Sequence, residues 1–195
     1  LISLILVAVM CFSLAGCTTP QQKEPEPGEN EPIEDEPTEP TETGKKIFRY
    51  SLLEDVPTLD PQLMNSIPSG TVGYHIYEGL MRNHVGEIQY GMAEDYEISE
   101  DGKTYTFKLR DGKWSDGEPI TAKDYEYGFK RLVDPATASD YAFLITSIVK
   151  NAEEVNTGSM PVDELGVKAI DDKTLVIELN NPTGYFLSML SMSQL

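Results

Sequence analysis

Tyr96-Glu97-Ile98-Ser99-Glu100-Asp101-Gly102-Lys103-Thr104-Tyr105-Thr106-Phe107-Lys108-Leu109-Arg110 is the stretch that decides the fold. Tyr105, Phe107 and Leu109 alternate with polar residues, the period of a strand with one buried face. Asp101-Gly102 supplies the positive backbone φ of a tight turn. The stretch therefore predicts a β-hairpin.

C-terminal to it, Asp111-Gly112 and Asp116-Gly117 flank Trp114, the only tryptophan. A calcium loop needs ligands at alternate positions, a glycine at the sixth and a glutamate at the twelfth; this spacing is missing, so the pairs read as turns. Thr121-Ala122-Lys123-Asp124 opens a helix in which Thr121 is a cap and Asp124 suits the positive end of the dipole. Tyr125, Phe129, Leu132 and Val133 share one face of that helix, and Asp134-Pro135 ends it. A second helical region is expected over 142–155. Val167–Ile170 and Thr174–Asn180 read as two strands joined by a turn at Asp171-Asp172, with Leu175, Ile177 and Leu179 facing inward. The run Tyr185–Leu195 begins an apolar helix and stops without a cap, which leads to the expectation of a C-terminal truncation and of marginal stability for an isolated 47–195 fragment.

N-terminal to the hairpin, Ile47–Leu53 reads as an opening strand closed by the Pro57 and Pro61 neighbourhood. Thr71–Arg82 places Val72, Ile76, Tyr77 and Leu80 at helical spacing. His75 and His84 lie in or beside this helix, and neither has a metal-spaced partner in the sequence.

Charge separates this body from what precedes it. The 195 residues hold 33 acids and 15 bases, a net charge of −18, which repels phosphate backbones and excludes nucleic acid as a natural partner. Residues 18–46 carry nine of the acids against Lys23, Lys45 and Lys46, with six of the 13 prolines and Ile33 as the single aliphatic side chain. Such a segment buries too little apolar surface to offset chain entropy, and it reads as a disordered tether. Residues 1–17 are uncharged: the apolar run Leu1–Phe12 is followed by Ser13-Leu14-Ala15-Gly16-Cys17, too short for a typical spanning helix and suited to a signal peptide. There is no initial Met and no basic start, so the sequence is expected to begin a few residues late. Leu14-Ala15-Gly16-Cys17 resembles the bacterial lipobox, which implies cleavage before Cys17 and lipidation of its thiol. Cys11 would leave with the signal, so no reactive-cysteine chemistry is expected.

Leu59-Asp60-Pro61, Tyr77-Glu78-Gly79-Leu80, Ala93 through Arg110, Lys113-Trp114-Ser115-Asp116-Gly117, Pro119 through Asp124 and Gly166 through Asp172 are each weak signals. In this order and spacing they resemble the bacterial extracellular solute-binding proteins of the peptide/nickel family, family 5, over about 47–195. Arg131-Leu132-Val133-Asp134-Pro135, with Thr137-Ala138-Ser139 and Tyr141, is most similar to the oligopeptide-binding branch.

The resemblance implies an α/β fold of the type II periplasmic-binding-protein kind, two-lobed with an accessory lobe. Only the N-terminal portion is expected in 47–195: part of the first lobe and most of the accessory lobe. It implies an exported lipoprotein on the outer face of the cytoplasmic membrane, or a periplasmic one. Such a protein is a monomer without cofactor or metal, captures oligopeptides and delivers them to an ABC permease. It implies that the ligand lies extended and pairs with protein backbone like an added strand. The segment Asn65-Ser66-Ile67 corresponds to the pairing edge and Tyr141 to an aromatic lining the site. Asn65 and Ser66 stand where an acid and a glycine are the familiar residues. The acid that holds a peptide's N-terminal ammonium belongs to the lobe not represented.

Other readings remain open from the sequence. The same family also takes nickel or metal chelates, haem, sugars or signalling peptides, although 47–195 holds no Cys/His cluster. A cell-surface hydrolase using paired carboxylates is disfavoured because no nucleophile and base are recognisable by spacing. A passive adhesin is the last alternative.

Overall fold

A computed structural model describes residues 46–195. The expected signal segment with Cys17, and the tether up to residue 45, lie outside the described residues. Residues 46–49 carry no regular secondary structure, and Tyr50–Leu195 form a compact unit.

The expected opening strand over Ile47–Leu53 is absent: these residues are coil and bend, with Phe48 and Leu53 well exposed. An alternating apolar run becomes a strand only where a sheet offers it a ladder, and both sheets described here are built from later segments. After a 3-10 turn at Pro61–Leu63, helix α1 spans Ile67–Ile76. It starts and ends earlier than the expected 71–82. Ser66 caps it by accepting the Ser69 N–H at 3.3 Å. Pro68 lies in the first turn, where its missing N–H has no helical partner to lose.

Leu80 and Met81, which prolong the apolar period, leave the helix for a ribbon absent from the sequence reading. β1 (Met81–His84) pairs antiparallel with β2 (Glu87–Tyr90). The connecting Val85 and Gly86 have φ of 53° and 89°. A β-branched residue at a positive-φ position is no turn signal, which is why the ribbon was not legible. Its base closes tightly: Gly91 N–H donates to the Leu80 carbonyl at 3.0 Å, and a Cβ on Gly91 would sit 2.4 Å from the Gly79 carbonyl oxygen.

The main sheet begins with β3 (Ala93–Ile98) and β4 (Thr104–Leu109), the hairpin that the alternation predicts. Tyr96 lies opposite Phe107 and Ile98 opposite Tyr105, with Gly102 in the turn at φ 70°. The Asp116-Gly117 pair is likewise a turn: Gly117, at φ 97°, donates to the Trp114 carbonyl.

Helix α2 (Ala122–Val133) starts where Thr121 and Asp124 place it. The Asp124 carboxylate accepts the Thr121 N–H at 2.7 Å and its hydroxyl at 2.9 Å, and Asp134 follows the last turn. The one helix expected over 142–155 is two, α3 (Phe143–Thr146) and α4 (Ala152–Asn156). Between them the chain is drawn to the sheet: Val149 bridges Leu179 and Lys150 N–H donates to the Glu178 carbonyl at 2.9 Å. Asn151 turns back at φ 63°. β5 (Val167–Ala169), β6 (Thr174–Glu178) and the short helix α5 (Phe186–Met189) complete the chain.

The sheet is antiparallel in the order β3-β4-β6-β5. Its packed face carries Tyr105, Phe107, Leu175, Ile177 and Val167, which meet Phe129, Leu132 and Val133 of α2, and Phe186 from α5 at 5.0 Å from the Tyr105 ring. Full burial of a side chain of this size contributes about 1.5–3 kcal/mol. At the β5 edge the Glu126 carboxylate accepts the Ala169 N–H at 2.9 Å.

Candidate functional site

The segment from Leu59 to Ser66 is held by side chains that reach it from distant positions. Tyr77 Oη donates to the Leu59 carbonyl at 3.0 Å. Arg131 on α2 makes two bonds to the Asp60 carboxylate and a third, at 2.6 Å, to Gln62 Oε1. Ser139 Oγ donates to the Gln62 carbonyl at 2.5 Å, and Gln194 Nε2 to the Met64 carbonyl at 3.2 Å. Met64 is buried and packs where Gly73 leaves room on α1. Side-chain entropy is lost in these contacts, and the penalty of about 1–3 kcal/mol for an unmet polar group applies to the buried Gln194–Met64 bond more than to the exposed Tyr77–Leu59 one.

What this anchoring presents is extended backbone. Met64 has φ −69°, ψ 105° and Ser66 φ −122°, ψ 153°. Among the described residues the N–H groups of Asn65 and Ser66 and the carbonyl of Asn65 take no hydrogen-bond partner. The Asn65 side chain is exposed, and Ile67, at the first position of α1, is 86% exposed.

Asn65 Nδ2 donates to Asp140 Oδ2 at 2.9 Å, joining this segment to the loop that carries Tyr141. That loop is set by Asp134, whose carboxylate accepts the Ala136 N–H, and by Ser139, whose hydroxyl accepts the Tyr141 N–H at 3.2 Å. Tyr141 is half-buried, with its ring 5.9 Å from that of Phe143. The structure thus brings Asn65, Ser66 and Ile67 onto one rim and sets Tyr141 beside it through Asp140. Sequence reasoning missed Gln62, Arg131, Ser139 and Asp140 as parts of this site. Arg131 and Ser139 fall within the stretch that carries the oligopeptide-branch resemblance, which was their only signal.

A shallow groove on the outer side of α2, lined by Lys123, Glu126, Tyr127, Lys130 and Asp163, is a weaker candidate. Its central cation, Lys130, is already paired with Glu126 and Asp163 at 2.8 Å each. Among the described residues no three His, Cys, Asp or Glu side chains are placed to hold a metal ion, and no helix is long and apolar enough to cross a membrane.

Fold and sequence together define an α/β segment of a type II periplasmic-binding-protein domain. A profile of the bacterial extracellular solute-binding proteins, family 5 Middle, matches residues 87–194, and the chain belongs to that family. It is 47% identical over 148 residues to the oligopeptide-binding protein OppA of Bacillus subtilis, covering 75% of this chain and 27% of that one. It is 41% identical over 150 residues to the probable deoxycholate-binding periplasmic protein YgiS of Escherichia coli, covering 75% and 28%. The solved structure of Listeria monocytogenes OppA bound to peptide superposes with a TM-score of 0.69 at 37% identity, over 71% of this chain and 28% of that one. The chain thus spans little more than a quarter of the length of these relatives.

Proposed function

We propose that the protein carrying this chain captures oligopeptides outside the cell and delivers them to an ABC permease in the membrane. The observation that carries this reading is the extended backbone around Asn65 and Ser66, where both N–H groups and the Asn65 carbonyl are open while side chains from Tyr77, Arg131, Ser139 and Gln194 hold it in place. A rigid, unpaired ladder binds an extended chain through main-chain hydrogen bonds and leaves side-chain identity largely unread. The edge comprises Asn65, Ser66 and Ile67, and Tyr141 supplies an aromatic wall. The similarity to OppA proteins supports the same ligand class.

In this reading residues 47–195 contribute a portion of the first lobe and most of the accessory lobe, and the rest of the cleft comes from a second lobe. Closure of the lobes buries the peptide and forms the surface the permease meets. The protein acts by binding and not by turnover, as a monomer exported and anchored through lipidated Cys17. A different small solute is the second reading, favoured by the 41% identity to a probable deoxycholate-binding protein.

Calorimetry on the full-length protein decides between them. Unmodified di- to pentapeptides should bind with measurable heat and raise the melting temperature. No heat and no shift with any peptide, together with saturable binding of a bile acid, would replace the first reading with the second.

A further inference from the structure

We infer that Asp140 makes this edge selective for a cationic side chain on the ligand, an inference that rests on the peptide-binding reading above. One oxygen of its carboxylate, Oδ2, accepts the amide of Asn65 at 2.9 Å, which fixes the group at the rim of the candidate edge. The carboxylate is exposed and forms no ion pair among the described residues. The nearest basic side chain along this network, Arg131, is taken up by Asp60 and Gln62. The charge on Asp140 is therefore uncompensated, and its second oxygen has no protein donor among the described residues.

Two aromatic residues follow at once, Tyr141 half-buried and Phe143 exposed, their rings 5.9 Å apart and inclined by 30°. An exposed, unpaired carboxylate suits an ammonium or guanidinium, with which it forms a charge-assisted hydrogen bond, and aromatic rings nearby in the chain are of the kind that attracts such a cation. The backbone ladder is indifferent to side chains, so a fixed charge next to it adds a means of ranking ligands. The side chains of lysine and arginine carry such a cation.

The test separates charge from shape. Asp140→Asn keeps an oxygen that can accept from Asn65 but removes the charge; Asp140→Ala removes both. Tripeptides carrying lysine at each position in turn are titrated into the full-length protein against norleucine isosteres, with free and with acetylated N-termini. Asp140→Asn is expected to weaken the best lysine peptide about fivefold more than its norleucine isostere, the order expected of one exposed ion pair. If the effect follows the free N-terminus instead of the lysine, Asp140 does not read a side chain and this inference falls. If both peptide sets bind and Asp140→Asn leaves their ratio unchanged while Asp140→Ala weakens both alike, Asp140 is only a brace for Asn65 and this inference alone falls. If no peptide binds to the unmodified protein, the peptide reading falls and takes this inference with it.

Discussion

Arg131 grips Asp60 across 71 positions through two parallel bonds, Nη1 to Oδ1 and Nη2 to Oδ2, both at 2.5 Å. The planar guanidinium matches the carboxylate fork, and both side chains are about a quarter exposed. The pair ties the Asp60-Pro61 turn to α2 and so fixes where the open edge begins. Arg131→Met should cost about 2 kcal/mol, because an acid is left half-buried without its partner. Arg131→Lys should recover only part of that, since a lysine cannot make both bonds. Urea unfolding of the three proteins checks the order.

The same pair imposes an acid dependence. The hydrogen bonds from Arg131 hold the Asp60 carboxyl below its ordinary value of 3.8, against the opposing effect of burial. A lowered folded value means that the stabilisation is complete above about pH 4 and is lost as pH falls through the folded value. The stability difference between the native protein and Asp60→Asn should therefore be largest at neutral pH and shrink below about pH 4. Urea midpoints measured from pH 7 down to pH 3 test this, and a constant difference would contradict it.

Two glycines in similar surroundings should behave differently. A Cβ at Gly91 would lie 2.4 Å from the Gly79 carbonyl oxygen and 3.1 Å from that of Leu80, both backbone atoms at the base of the ribbon. At Gly112 the 2.4 Å contact is with the terminal methyl of Met92, which can swing away. Gly91→Ala should destabilise by about 2–3 kcal/mol and Gly112→Ala by about 1 kcal/mol or less. Thermal melts of the two variants give the comparison.

Val85 holds φ 53° at the tip of the ribbon while 91% exposed, so strain there is not offset by packing. Val85→Asn creates an Asn-Gly turn of the kind two-residue hairpins favour and should stabilise by about 1 kcal/mol. Denaturant midpoints would show it, with Val85→Gly as the companion variant.

The elements legible in sequence were those written locally. The alternation at Tyr105, Phe107 and Leu109 and the helix start at Thr121 each lie within one element, and both are found where expected, with Asp124 accepting from Thr121. Helix α1 was displaced because Pro68 and Gly70 look like breakers, although proline is tolerated in a first turn, and because Leu80 continues a helical period that the ribbon interrupts. The helix expected over 142–155 divided because Lys150 N–H donates to the Glu178 carbonyl and the Ile148 carbonyl accepts the Asn180 N–H in place of helical partners; no short-range pattern carries that competition. For the site, Asn65, Ser66, Ile67 and Tyr141 came from family resemblance. Their bridging through Asp140, 75 positions from Asn65, has no periodicity to announce it.

The bond from the Ala169 N–H to Glu126 bears on the hazard of an open sheet edge. Any exposed strand edge is a template for another polypeptide. On β5, a carboxylate from α2 occupies an outward donor before a stray chain can. At the opposite edge, β3 slips register between Ala93 and Asp95 and shows Glu94, Asp95 and Glu97 to solvent, so an incoming strand finds broken spacing and repulsion. The amide of Ala169 is thus already spoken for, while those of Asn65 and Ser66 are left open.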